Sequence, residues 1–202
     1  MSVTLTESQL KAFAAVNQRL GLGPDESTFS GEDLAARGER PVIMSSDPFE
    51  SHIPPKLVPV ASIAELNRMV GISDENDDSH VEYPKPVREE HLNLLSSAAS
   101  SVEFHQGLGD YGHEIIKRAA VAYVMGDSRK VKDYEPLINA CMFPGQIAVF
   151  TAIDITVTKE NPLIIWPGDP QIHNYGVVTV KPGGYIRVME HAKFTSQQFI
   201  VE

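Results

Sequence analysis

The densest group of side chains able to do chemistry is Trp166-Pro167-Gly168-Asp169-Pro170-Gln171-Ile172-His173-Asn174-Tyr175, which holds the only tryptophan of the chain. An indole face suits the C–H groups of a sugar, and Asp, Asn and Gln offer planar hydrogen bonding to hydroxyls. The candidate ligand-binding set is therefore Trp166, Asp169, Gln171, His173, Asn174 and Tyr175. Polar groups converging around an aromatic platform also serve protein recognition. The plainer alternative is that Trp166 closes a core while the residues after it make turns. Either way the segment reads as a rigid loop between strands.

Other chemical patterns break down at a specific residue. Asp74, Asn76 and Asp78 occupy positions one, three and five of a calcium loop, but position six is Ser79 and position twelve is Lys85. The loop needs glycine at the first of these and a bidentate glutamate at the second. His113-Glu114 begins like a zinc-protease helix, yet the residue four places after His113 is Lys117, which cannot ligate. His105 lies across Gly107-Leu108-Gly109 from His113, in what reads as a helix–helix turn. Gly107, Gly109 and Gly112 match Gly-x-Gly-x-x-Gly in spacing, but no strand leads into them and no Gly-Lys-Ser/Thr follows anywhere. A cupin-type metalloenzyme would present His-x-His; here Glu190 and His191 are adjacent, so on a strand they face opposite sides. Gly-x-Ser-x-Gly is absent. Cys141, the single cysteine, sits in the apolar stretch Leu137–Phe143, where a thiol packs as a small hydrophobe. No catalytic residue, metal ligand or cofactor is assigned on these grounds.

The elements that would position these residues change character along the chain. Thr6-Glu7-Ser8-Gln9 forms a capping box before the helical spacing of Leu10, Phe13, Ala14 and Leu20, and Gly21–Pro24 stops that helix. Ser30–Arg37 suggests two helical turns and Pro41–Met44 a short strand, whereas Pro54, Pro55 and Pro59 keep 49–59 extended. Ser62-Ile63-Ala64-Glu65 opens another short helix that ends at Gly71, before an acidic loop, Asp74–Asp78. Helices are expected over Glu89–Ser101, Tyr111–Met125 and Asp133–Met142.

Beyond Pro144-Gly145 the period becomes that of strands. They are expected at 146–150, 153–158, 163–166, 177–180, 185–189 and 198–201. An internal echo aligns Ile155-Thr156-Val157-Thr158 and Leu163-Ile164-Ile165 with Val178-Thr179-Val180-Lys181 and Ile186-Arg187-Val188 without a gap. It suits paired hairpins of a β-sandwich or jelly roll, or two rungs of a short β-solenoid. About three rungs are needed for a solenoid to be stable alone, so the sandwich is favoured. The expected fold class is α+β, with a helical and extended region over 1–143 and an all-β domain over 144–202.

Seventeen Lys and Arg against 27 Asp and Glu give a net charge of −10, which disfavours a nucleic-acid partner. The densest basic run, Arg129-Lys130-Val131-Lys132, reads as a solvated turn. No apolar run approaches the roughly 20 residues of a membrane span. The N-terminus lacks the pattern of a signal peptide, so cytoplasmic synthesis is expected, and export by a route that reads no such signal stays open. The functional expectation is a non-enzymatic interaction or structural protein, a homo-oligomer or part of an assembly, working through its β domain and extended segments. The alternatives are a lectin-like module binding carbohydrate through 166–175, and a metal-dependent cupin-like enzyme using some of His105, His113, His173 and His191.

Overall fold

A computed structural model describes residues 4–36, 38–168, 170–189 and 192–202. The chain divides into two compact units, one made of 1–58 with 146–202 and the other of 59–145.

In the first unit, helix α1 (Glu7–Arg19) starts at the expected capping box. Thr6 Oγ1 accepts from the Gln9 amide, and Gln9 Oε1 accepts from the Thr6 amide at 2.9 Å. A short helix α2 (Gly31–Ala35) is boxed in the same way by Ser30 and Asp33. The strands are β1 (Val42–Met44), β2 (Lys56–Val60), β3 (Gly145–Val157), β4 (Leu163–Ile165), β5 (Gln171–Val180), β6 (Ile186–Val188) and β7 (Ala192–Val201). They form two sheets, ordered β1-β4-β6 and β2-β3-β5-β7.

The pairs β1–β4, β4–β6, β3–β5 and β5–β7 are all parallel. This overturns the expected β-sandwich or jelly roll, which requires antiparallel neighbours. The physical reason lies in the breaks after the strands. Residues 158–162 and 181–185 do not fold the chain back beside itself; they carry it across into the other sheet. The chain thus alternates between sheets from β3 to β7 as a parallel coil. Leu163 pairs with Ile186 and Val157 with Val180, an advance of 23 residues, and the next turn, from Val180 to Val201, advances 21. The internal echo is the stacking of one turn on the next.

Nor does an all-β domain stand apart at the C-terminal end. β1 and β2 come from the N-terminal part and complete the two sheets. α1 packs on β5 and β7. Strands and helices are interleaved in a mixed α/β fold.

Between the sheets, side chains stack in columns along the coil. Ile155 lies beside Val178 and Phe199, Val157 beside Val180 and Val201, and Phe150 beside His173 and Phe194. Phe150, Ile155, Val157, Val178 and Val180 make one core with Phe29, Met44 and Ile53, and Phe194 packs against it, each buried aliphatic side chain stabilising by about 1.5–3 kcal/mol. Register skips at Ile153 and Gly176, where a Cβ on Gly176 would lie 2.3 Å from the Ile153 carbonyl oxygen. Only glycine allows that approach of the two backbones.

The second unit is helical, with α3 (Ile63–Val70), α4 (Glu89–Ser97), α5 (Ser101–Met125), a 3-10 segment (Ser128–Tyr134) and α6 (Glu135–Met142). Ala119 and Ala122 on α5, and Leu137 and Ile138 on α6, are fully buried, the small side chains permitting close helix packing. At the Gly107–Gly109 segment, expected as a helix–helix turn, two helical stretches of α5 meet across a kink. Gly109 alone leaves helical geometry, at φ 60° and ψ 176°. Among the described residues no helix is long and apolar enough to cross a membrane.

Candidate functional site

The segment singled out from the sequence is strand, not loop, from Gln171 onward. Gln171, His173 and Tyr175 point into the coil, and Asn174 points the other way; all four are buried. Trp166 remains 39% exposed, and Asp169 lies outside the described residues. The six candidates are therefore not gathered on one accessible face. Both faces of β5 are covered, so polar residues that resemble a loop in sequence are here buried and paired with one another.

Their hydrogen bonds follow a determinate order. Gln171 Nε2 donates to the Trp166 carbonyl at 2.9 Å, which fixes the amide. Its Oε1 then faces His173 Nε2 at 3.3 Å and can only accept, so Nε2 carries the ring proton. His173 Nδ1 is left to accept from the Tyr175 hydroxyl at 2.9 Å. The imidazole stacks on Phe150, with centroids 4.9 Å apart and planes 10° from parallel. Complete burial pulls its pKa down to about 3 and pushes the Tyr175 phenol above its ordinary range. This is a neutral structural network, sealed from solvent.

On the opposite face, Asn174 Nδ2 donates to Asn17 Oδ1 at 2.9 Å and to the Phe13 carbonyl at 3.2 Å. Asn17 Nδ2 in turn holds the carbonyls of Gly23, Pro24 and Glu26 at 2.8–3.3 Å. The pair ties α1 and the segment after it to the outer face of β5.

In the helical unit the acidic loop and the basic run, each expected to be solvated alone, meet. Lys130 Nζ lies 2.6 Å from Asp78 Oδ2, Arg129 pairs with Glu75 and Asp127, and Asp74 accepts from the Ser128 backbone and hydroxyl. Lys130 first, then the Tyr83 hydroxyl, holds the Asp78 carboxyl below the ordinary range. Arg129 does the same for Asp127.

The same unit gathers His105, His113 and Cys141, whose ligand atoms lie within 4.8 Å of one another. The imidazoles stack at 5.2 Å and 7°. Cys141 comes from the end of α6, far away in sequence, and no spacing rule links it to the histidines. The signal present in the sequence was the glycine pair between them. Burial alone pushes the Cys141 thiol up to about 11. His191 and Glu190 lie outside the described residues.

The C-terminal end of the coil presents a different kind of surface. β6 and β7 are the last strands of their sheets, and among the described residues no further strand pairs with them. The core columns emerge there: Phe199 is 53% exposed and Val201 73%, though their partners Val178 and Val180 are buried. Val188 is 48% exposed above buried Ile165.

No protein-family model, curated protein or solved structure shows a significant match to this chain.

Proposed function

We propose that this is an interaction or structural protein that self-associates, with a second copy of the chain seated on the open end of its coil. The carrying observation is that the core columns end uncovered at Phe199, Val201 and Val188. Such a face resembles a domain core cut across, the character of obligate interfaces. β7, ten residues long, is also the edge strand of its sheet, with the Gln197 carbonyl taken up by the Gln9 side chain. Exposed edges are ordinarily blunted by charge, proline or a bulge; over 192–202 there is no proline, and the only charged residues are Lys193 and Glu202.

Those two charges favour a two-fold partner. In an antiparallel pair of β7 strands, the Lys193 end of one copy meets the Glu202 end of the other. A parallel pair would set like charges together, which destabilises. Glu202 already pairs with Lys181 within one copy, at 2.6 Å. A closed two-fold arrangement is also the commonest homo-oligomer symmetry. The burial of Gln171, His173, Asn174 and Tyr175 supports this reading over ligand capture by the 166–175 segment. Sedimentation of the wild-type chain beside the Phe199→Lys/Val201→Lys variant tests it. Loss of a dimer in the variant supports the proposal; a monomeric wild type overturns it.

A further inference from the structure

The geometry points to a three-ligand site for a zinc-class divalent transition metal, built from His105, His113 and Cys141. In an unbroken α-helix, residues eight apart are separated by about 12 Å along the axis, too far to share an ion. The left-handed break at Gly109 removes that separation and brings the two imidazoles face to face at 5.2 Å. α6 then delivers the only thiol of the chain to the same place. A tetrahedral ion with bonds of about 2.0–2.3 Å sets its ligands roughly 3.3–3.8 Å apart. The ligand atoms lie within 4.8 Å of one another, so binding draws them closer, and the imidazoles, parallel to within 7°, must turn for both in-plane lone pairs to meet one ion.

A second observation concerns the tautomer. His113 Nε2 lies 3.1 Å from the His105 carbonyl oxygen, which can only accept, so Nε2 carries the proton and Nδ1 keeps its lone pair. Metal-ligating histidines are regularly oriented by donation of the other ring N–H to a carbonyl or carboxylate. Two imidazoles and a thiolate match the preferences of zinc and its neighbours rather than calcium or magnesium, which take oxygen ligands. Binding displaces one proton from Cys141 to solvent, and with three protein ligands the fourth position falls to water.

Titration of the untagged, chelator-treated chain with cobalt(II), a coloured zinc surrogate, tests the site. One equivalent is expected to give a thiolate-to-cobalt charge-transfer band and the visible bands of a tetrahedral ion, both reversed by zinc. Cys141→Ser abolishes the charge-transfer band, and His105→Ala and His113→Ala each remove stoichiometric binding. Because a variant can fail to fold, zinc protection of the single thiol of the wild type from alkylation is measured alongside. Slowed alkylation at one equivalent of zinc supports the site. Equal alkylation rates with and without zinc, or a charge-transfer band retained in Cys141→Ser, overturns it.

Discussion

His173 stacks on Phe150 at 4.9 Å inside the parallel coil while its Nδ1 accepts the Tyr175 hydroxyl proton at 2.9 Å. One neutral imidazole thus serves as both an aromatic plate in a core column and the centre of a buried polar chain. Its protonation is unfavourable in the folded state and easy in the unfolded one. With the folded pKa near 3 and the unfolded one near 6.5, the unfolded chain binds more protons between them. Stability therefore falls as pH drops below about 6.5 and levels off again below the folded value. His173→Phe keeps the stack but takes the donor from Gln171 Oε1 and the Nδ1 acceptor from the Tyr175 hydroxyl, costing about 1–3 kcal/mol at neutral pH. Denaturant unfolding from pH 7.5 to 4.5 should show a flatter pH dependence in that variant; an unchanged slope would contradict the neutral assignment.

Asn17→Ala leaves the Gly23, Pro24 and Glu26 carbonyls without their shared donor and removes an acceptor from buried Asn174. A loss of at least about 2 kcal/mol is expected, read as a lower urea midpoint with an unchanged slope. A loss below about 0.5 kcal/mol would mean the asparagine pair does not anchor α1.

Acid sensitivity of the helical unit should follow Asp78 and Asp127. Their pKa values are lowered on folding by Lys130 with Tyr83, and by Arg129. The stability they contribute is complete above the unfolded-state value near 3.9 and is lost as pH falls through the depressed folded values. Asp78→Asn is thus expected to be less stable than wild type at pH 7, the gap closing toward pH 2. A gap independent of pH would show that Asp78 acts through packing. The partner cations Lys130 and Arg129 are exposed, so added salt should narrow the neutral-pH gap as well.

Gly109 holds φ 60° and ψ 176°, a region open essentially to glycine alone. Nothing lies within 4 Å of a Cβ built there, so Gly109→Ala acts through the backbone rather than through a clash. The expected penalty is on the order of 1–3 kcal/mol, with the His105–His113 stack disrupted. Imidazole ring-current shifts in proton NMR read this directly, and shifts unchanged from wild type would contradict it.

The parts of this molecule legible in sequence are those governed by neighbours along the chain. The Thr6 capping box, the β1 and β4 strands and the exact spacing of the echo needed only local pattern. What the pattern withheld was the direction in which the chain turns after each strand. Lys159–Pro162 and Pro182–Tyr185 break a strand equally well whether the next one pairs antiparallel or crosses to another sheet. The sandwich expectation rested on that ambiguity, and the parallel register of Val157 with Val180 resolves it. β5 was hidden because polarity of Gln171, His173 and Asn174 signals exposure only when those groups lack buried partners. His105, His113 and Cys141 converge through a kink and helix packing, which no one-dimensional spacing encodes.

The most direct test of self-association through the open end is sedimentation equilibrium of the untagged wild-type chain beside Phe199→Lys/Val201→Lys, with far-UV circular dichroism confirming that both are folded. The prediction is a wild-type mass of twice the 22.2 kDa chain and a single-chain mass for the folded variant. A wild type that remains at the single-chain mass across micromolar concentrations, or a folded variant that still dimerises, would contradict it.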